Sequence, residues 1–314
     1  LSGKFDVSNV GMAYAVLEST VLEEVIAPPS VLHFIANSLF DTFPDGWMAR
    51  STGYIYKSAD ELKKYAGYAI SLTPIVACEK DSKGNYTWYL DGTGCLHLAG
   101  AVNNPSDESD STQWKGYKDK IKTVAVEKGA SIDNCTRMFI NCPNLVSADL
   151  RGLDTSRVTV MYGMFMDCPK LTTVNLSGLD TSKVTNMNCM FEGCKSLTSV
   201  DLSGLTTSSV TGMARMFLNC KSLNIINVTG FDTSHVTNMA NMFANCSKLV
   251  FIDVSGFSAA ASPSMANMFD SCSSLATLGI NRDILAGTAE QLAGMATWTN
   301  AADNTVYASA AALK

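Results

Sequence analysis

The chain has 314 residues, 46% of them apolar and only 17% charged, with 23 basic against 29 acidic side chains for a formal charge of −6. That length holds one large domain or two ordinary ones with a real core, and the apolar share excludes a disordered tail. The charge balance excludes the basic footprint of a nucleic-acid binder, and no apolar run reaches the roughly 20 residues of a membrane span.

From the amino terminus, the longest apolar stretch, Val21 to Leu39, is cut by Glu23, Glu24, Pro28, Pro29 and His33. The sequence starts at Leu1 without a signal-peptide pattern and is expected to be a mature or trimmed chain. Trp47 is followed nine residues on by Tyr56, and Ile55, Ser58, Ala59, Leu62 and Lys63 complete a strand turning into a helix. A second copy stands at the other end, with Trp298, Val306, Tyr307, Ser309, Ala310, Leu313 and Lys314. Between them comes a β-rich segment with Thr87 to Gly94, Trp114 and Ile121 to Val124, interrupted by a polar, acidic stretch from Val102 to Ser111 that reads as an exposed loop.

Self-similarity then takes over. Cys142, Cys168, Cys194, Cys220, Cys246 and Cys272 recur every 26 residues. Each is preceded by a Met-Phe pair, from Met138-Phe139 to Met268-Phe269, and followed three positions later by a leucine, from Leu145 to Leu275. Leu171, Val174 and Leu176 alternate with Thr173 and Asn175, which predicts a short strand with one buried face. Met187, Met190, Phe191 and Cys194 fall at i, i+3, i+4 and i+7, which predicts a two-turn helix capped by Thr185 or Asn186. One strand and one short helix cannot bury their apolar faces alone, so the copies must stack. Burying each Met or Phe is worth about 1.5–3 kcal/mol. The last copy carries Ser258 to Pro263 in place of D-T-S-x-V-T, and because Pro263 lacks an amide the regular stack is expected to end there.

These residues carry a resemblance. L-x-x-V-x-L-x-x-L resembles the strand segment of a leucine-rich repeat, and D-T-S-x-V-T-x-M-x-x-M-F-x-x-C resembles the 26-residue repeats of BspA-like bacterial surface proteins. The resemblance implies a leucine-rich-repeat solenoid, an α/β repeat of about six coils with short parallel strands and short helices. The expected organisation is a degenerate leucine-rich repeat with its cap at 1–66, a β-rich segment at 67–127, the array at 128–281 and a carboxy-terminal cap at 282–314. Leu1 to Val10 resembles L-S-G-F-D-T-S-x-V with one insertion.

Candidate sites are few. Six of the ten cysteines occupy the inward slot and read as a ladder of reduced, buried thiols, since free cysteine behaves as a small hydrophobe. Cys189, between Met187 and Met190, is expected to point outward and to be the reactive thiol. Cys95 and His97 could form half of a zinc site, but no second pair of ligands stands out, and His235 takes the variable place of Arg157, Lys183 and Ser209. No catalytic or phosphate-binding motif occurs, so the expectation is no enzyme, no cofactor and no metal. Asp149, Asn175, Asp201, Asn227 and Asp253 form a column on the strand face, where alternating Asn keeps carboxylates from facing one another. Beside it, Ile225, Val250 and Phe251 place apolar groups outward, and together with Asp201, Asn227 and Asp253 they form the candidate contact patch.

The BspA-like resemblance implies a secreted or cell-surface bacterial protein that binds an extracellular protein or glycan, such as a host matrix protein or another cell. The chain is expected to be a monomer with no nucleic-acid partner. Two rivals are a structural spacer that projects another domain from the envelope, and a carbohydrate-binding accessory module, for which the repeats offer only Tyr162 and Phe251 as exposed aromatic platforms.

Overall fold

A computed structural model describes residues 3–6, 22–27, 39, 45–50, 54–65, 70–104, 113–292, 298–299 and 306–307. Most of the Val102 to Ser111 loop, the Ser309 to Lys314 part of the second cap, and the L-S-G-like segment apart from residues 3–6 lie outside the described residues. The chain divides into two compact units, residues 1–100 and 101–314.

In the first unit, β1 (Gly3–Asp6) runs parallel to β2 (Leu22–Ala27). β3 (Trp47–Ala49) and β4 (Ile55–Tyr56) form a hairpin with Trp47 opposite Tyr56. Helix α1 (Ala59–Lys63) follows, its first turn capped by the Ser58 side chain accepting from the Glu61 amide. β5 (Ile70–Lys80) is antiparallel both to β2 and to β3, and its Leu72 faces Val25 on one side and Ala49 on the other. The far half of β5 pairs with β6 (Tyr86–Asp91), which pairs in turn with β7 (Cys95–Leu98). Leu72, Thr73, Pro74 and Ile75 are consecutive and all buried, because β5 is covered on both faces.

The second unit opens with β8 (Ala101–Val102), which lies parallel to β10 (Ser131–Ile132). β9 (Thr123–Val126), β11 (Ser147–Asp149) and β12 (Thr173–Asn175) stack in parallel register, 26 residues separating Ser147 from Thr173. At the far end, β13 (Phe251–Asp253) and β14 (Thr277–Gly279) pair in the same way. Helix α2 (Arg282–Leu292) follows, with Ile284 and Thr288 buried. The hairpin of β15 (Trp298–Thr299) and β16 (Val306–Tyr307) comes last among the described elements. The array is the stacked solenoid that the repeat period implied, of the leucine-rich-repeat kind that the resemblance implied.

The expected short helices of the coils do not form. The residue before each Met-Phe pair and the residue before each repeat cysteine, from Arg137 and Asn141 to Asn267 and Ser271, adopt a positive φ of 53 to 74°. A left-handed residue every fourth position ends any α-helix and leaves two successive turns. Those turns return side chains to the inside at the spacing of a helix, which is why the periodicity pointed to one. Asn and Gly hold most of these positions at low cost. At Gly193 a Cβ would stand 2.4 Å from Asp167 Oδ1, so close approach and positive φ coincide there.

The turns build a ladder of their own. At every junction four amides donate to the next coil, as in Met187 N to Gly212 O at 2.9 Å, Cys189 N to Ala214 O at 2.9 Å, Phe191 N to Met216 O at 2.9 Å and Gly193 N to Leu218 O at 2.8 Å. Intervening amides close the turns, as in Glu192 N to Cys189 O at 3.1 Å. Pro263 does not end the stack. Its counterparts Thr185, Thr211 and Thr237 donate their amides to the preceding coil, and where proline has none the next amide, of Ser264, donates to Thr237 O at 3.0 Å. The ring stack and the thiol ladder both continue past it to Phe269 and Cys272.

Inside, Phe139, Phe165, Phe191, Phe217, Phe243 and Phe269 are fully buried and stacked, with ring centroids 5.2 to 5.8 Å apart. Trp114 caps this stack 5.9 Å from Phe139 and donates its indole N–H to Met138 O. The repeat cysteines are buried beside the rings, and Cys168, Cys194, Cys220, Cys246 and Cys272 each direct a thiol at the phenylalanine carbonyl one coil back, 3.0 to 3.2 Å away. Thr181 and Thr207 are buried too. Thr207 Oγ1 donates to Asp232 O at 3.0 Å and accepts the Asp232 amide at 2.8 Å, so one hydroxyl satisfies two backbone groups of the next coil.

Candidate binding surface

The strand face positions the residues singled out from sequence. Its strands follow the inward leucines, and a turn after each strand is folded by the column Asp149, Asn175, Asp201, Asn227 and Asp253. Each of these side chains accepts the amide two residues ahead, at 3.2 Å from Arg151, 3.1 Å from Ser177, 3.0 Å from Ser203, 3.1 Å from Thr229 and 2.9 Å from Ser255. They are Asx turns, a local role that sequence reading missed although an Asx followed two residues later by Ser or Thr is its usual signal. The Ser203 amide and hydroxyl hold the Asp201 carboxyl below its ordinary value. Arg151 does the same for Asp149 through a two-pronged contact, Nε to Oδ1 at 3.0 Å and Nη2 to Oδ2 at 2.6 Å.

Ile225, Val250 and Phe251 are exposed by 57%, 44% and 40%. Ile225 and Phe251 are bridged as parallel neighbours on adjacent coils, and the Val250 amide donates to Asn224 O at 3.3 Å. The structure therefore brings the three apolar members together, next to Asn227 and Asp253 in the same two coils, with Asp201 one coil earlier. Val146, 43% exposed, occupies the position of Val250 four coils back; it was not singled out and stands apart from the three.

Elsewhere one expectation changes. Cys189 is buried rather than outward, at 5% exposure, and its thiol is pushed up to about 12, chiefly by burial and then by a hydrogen bond with Glu192. The left-handed backbone at Cys189, φ 60°, turns its side chain into a cluster that no helical wheel represents. In that cluster the buried Glu192 receives Arg215 Nη2 at 2.6 Å, and Arg137 lies over the Tyr162 ring at 5.3 Å. A thiol held protonated in this way is a poor nucleophile. His97 is buried, stacks on Tyr89 at 4.3 Å and sits 3.5 Å from Asp91 Oδ2. Burial alone would raise the Asp91 carboxyl, but hydrogen bonds from His97, Thr93 and the Cys95 amide outweigh it and hold it low. His235 is exposed, with Nδ1 3.1 Å from Ser234 Oγ.

Among the described residues, no group of three His, Cys, Asp or Glu side chains could hold a metal ion, and no helix is long and apolar enough to cross a membrane. What the strand face offers chemically is shape, a small apolar cluster and a polar surround.

Stacked 26-residue coils, parallel strands on one side and an unbroken inner file of Met, Phe and Cys define a leucine-rich-repeat protein. Residues 133–226 and 198–305 match the family described as "Mycoplasma protein of unknown function, DUF285", and the chain belongs to that family. No curated protein matches the sequence. Among solved structures, the chain is similar to a Leucine Rich Repeat protein of T. pallidum, at 16% identity and TM-score 0.27, covering 63% of this chain and 87% of that one. It is also similar to a leucine rich cell surface protein of Faecalibacterium prausnitzii, at 15% identity and TM-score 0.35, covering 74% of this chain but only 58% of that one. A leucine-rich-repeat protein of Eubacterium ventriosum has 17% identity and TM-score 0.29, with 62% and 69% of the two chains covered.

Proposed function

We propose that the chain is a non-enzymatic binding module of a secreted or cell-surface bacterial protein, capturing an extracellular macromolecule on the strand face of its solenoid. The observation that carries this reading is the side-by-side exposure of Ile225, Val250 and Phe251 on two neighbouring coils. At the positions of Ile225 and Phe251 the earlier coils hold Ser147, Thr173 and Ser199. Clustered apolar side chains that leave the fold intact when replaced are characteristic of a contact surface, and solenoids bind along such extended faces. Asp201, Asn227 and Asp253 belong to this patch as its polar margin, while also folding their own turns.

The test is a binding screen of the purified chain against immobilised matrix proteins and glycans, followed by the double variant Ile225→Ser/Phe251→Ser. Capture should be lost with the melting curve nearly unchanged. Undiminished capture by the variant would overturn the patch, and a chain that captures nothing across the panel would favour the spacer.

A further inference from the structure

One lysine stands exposed on each of four successive coils: Lys170, Lys195, Lys221 and Lys248. They lie where the chain leaves the turns and enters the strand side, one or two residues after Cys168, Cys194, Cys220 and Cys246. Lys170 Nζ donates to Asn144 Oδ1 at 2.7 Å, and among the described residues none of the four has an ion partner. The residues directly before Cys194, Cys220 and Cys246 are Gly193, Asn219 and Asn245, and the nearby Glu192 is buried and paired with Arg215. Exposed carboxylates, Asp167 and Asp270, stand only at the two ends of the file. The formal charge of the whole chain is −6, but screening over about 8 Å at physiological salt lets such a file act locally. Lys221 and Lys248 share their coils with Ile225, Val250 and Phe251, and beyond these apolar groups come Asn227 and Asp253, with Asp201 one coil earlier. Across the strand face the order is therefore cationic, apolar, acidic.

On the reading of Ile225, Val250 and Phe251 as a contact patch, which this step requires, we propose that the captured macromolecule is a polypeptide presenting an acidic amphipathic helix. It lies along the axis of the solenoid, with carboxylates on the lysine file and its apolar flank on the three exposed side chains. Charge selects the sign: four unpaired ammonium groups call for anions, whereas Asp201 and Asp253 repel carboxylates on the opposite flank, so the helix is acidic on one side only. Pitch selects the helix. Ring centroids from Phe165 to Phe269 are 5.5 to 5.8 Å apart from coil to coil. An α-helix advances about 5.4 Å per turn, so its residues i, i+4, i+7 and i+11 meet successive coils, one for each lysine. An extended segment laid the same way places its same-side residues about 6.8 Å apart and drifts by roughly 1 Å at every coil. The flexible lysine stems absorb the smaller mismatch of the helix.

The probe is a fluorescently labelled synthetic helix of about 18 residues, with Glu at i, i+4, i+7 and i+11, Leu at the position after each, and Ala and Gln elsewhere. Titrated into the full chain at low salt and followed by anisotropy, it should bind saturably. Binding should weaken at least tenfold in Lys221→Gln/Lys248→Gln and at least tenfold in Ile225→Ser/Phe251→Ser, with both melting curves nearly unchanged. The same peptide with Lys in place of every Glu should not bind. No binding by the acidic peptide, or equal binding by the charge-reversed one, would overturn the proposal. Binding that responds to Ile225→Ser/Phe251→Ser but not to Lys221→Gln/Lys248→Gln would overturn the acidic helix and leave the apolar patch standing. Binding indifferent to Ile225→Ser/Phe251→Ser would overturn both. Equal or tighter binding of the acidic peptide after prolines are placed inside it would overturn the helical occupant. Heparin binding through the lysines, with no binding of the peptide, would overturn the assignment to a polypeptide.

Discussion

The two long sides of the solenoid are built on different terms. On the turn side, four inter-coil amide bonds recur at all five junctions from the Met138 coil to the Met268 coil, and the phenylalanine stack runs directly beneath them. On the strand side, regular pairing is present at the beginning, in β9, β11 and β12, and at the end, in β13 and β14. Residues 199–201 form no regular strand, and residue 225 joins β13 through a single bridge. Cohesion therefore resides in the turns and the core they enclose, which leaves the strand face free to vary its outward side chains. That division explains how one face keeps an invariant Met-Phe-Cys file while the other carries Ser, Thr, Ile or Phe at equivalent positions.

Breaking the core side should have the largest effects. Cys135, Cys194, Cys220, Cys246 and Cys272 are buried and their thiols are raised from the ordinary 9.0, Cys135 and Cys272 to about 12. Above that ordinary value the unfolded chain loses protons that the folded chain keeps, so stability falls as pH rises. Each thiol costs about 1.4 kcal/mol at one pH unit above the unfolded value. Urea midpoints measured from pH 7 to 10.5 should drop steeply from about pH 9, and Cys220→Ala should make the decline shallower by one proton. A flat profile would show that the thiols are not sealed from water.

Next in size is Phe217→Ala, in the middle of the ring stack, with an expected loss of about 3–5 kcal/mol. A melt at the wild-type temperature would contradict the inward stack. Thr207→Val removes the hydroxyl that serves both the amide and the carbonyl of Asp232 and should cost about 1–3 kcal/mol in chemical denaturation; Thr207→Ser should recover most of it. Arg215→Ala leaves Glu192 buried without its ion partner, and because the arginine is itself half exposed the cost should be about 1–2 kcal/mol. The strand side should yield least. Ile225→Ser and Phe251→Ser are each expected to stay within about 0.5 kcal/mol of wild type, since surface changes away from caps and cores usually do. A large loss at either would mean that the strand face also holds the coils together, collapsing the distinction between the two sides.

Much of this was legible from spacing. The 26-residue period, the inward Met, Phe, Cys and Leu, and the outward placement of Ile225, Val250 and Phe251 follow from which residues recur and which vary. The shape of the Met-Phe-Cys segment did not follow, because a helix and a pair of left-handed turns give the same inward spacing. Cys189 was misplaced for that reason: a helical wheel sends it to solvent, whereas a positive φ sends it toward Glu192. The polar column was visible as a column, but its role as a series of Asx turns depends on amides two residues away being oriented toward the side chain.

Composition and repeat alone determined that identical coils stack and which side chains they hide, because an apolar stripe on so short a unit can be buried only against its own copy. Tertiary structure decided how the backbone closes each coil. It decided that Pro263 could be bypassed by the amide of Ser264, that Trp114 covers the first ring of the stack, and that β5 fills the slot beside one Trp hairpin. Those choices depend on hydrogen bonds between residues about 25 positions apart or more, and a partner's amide or carbonyl leaves no trace in the identity of the side chain that bears it.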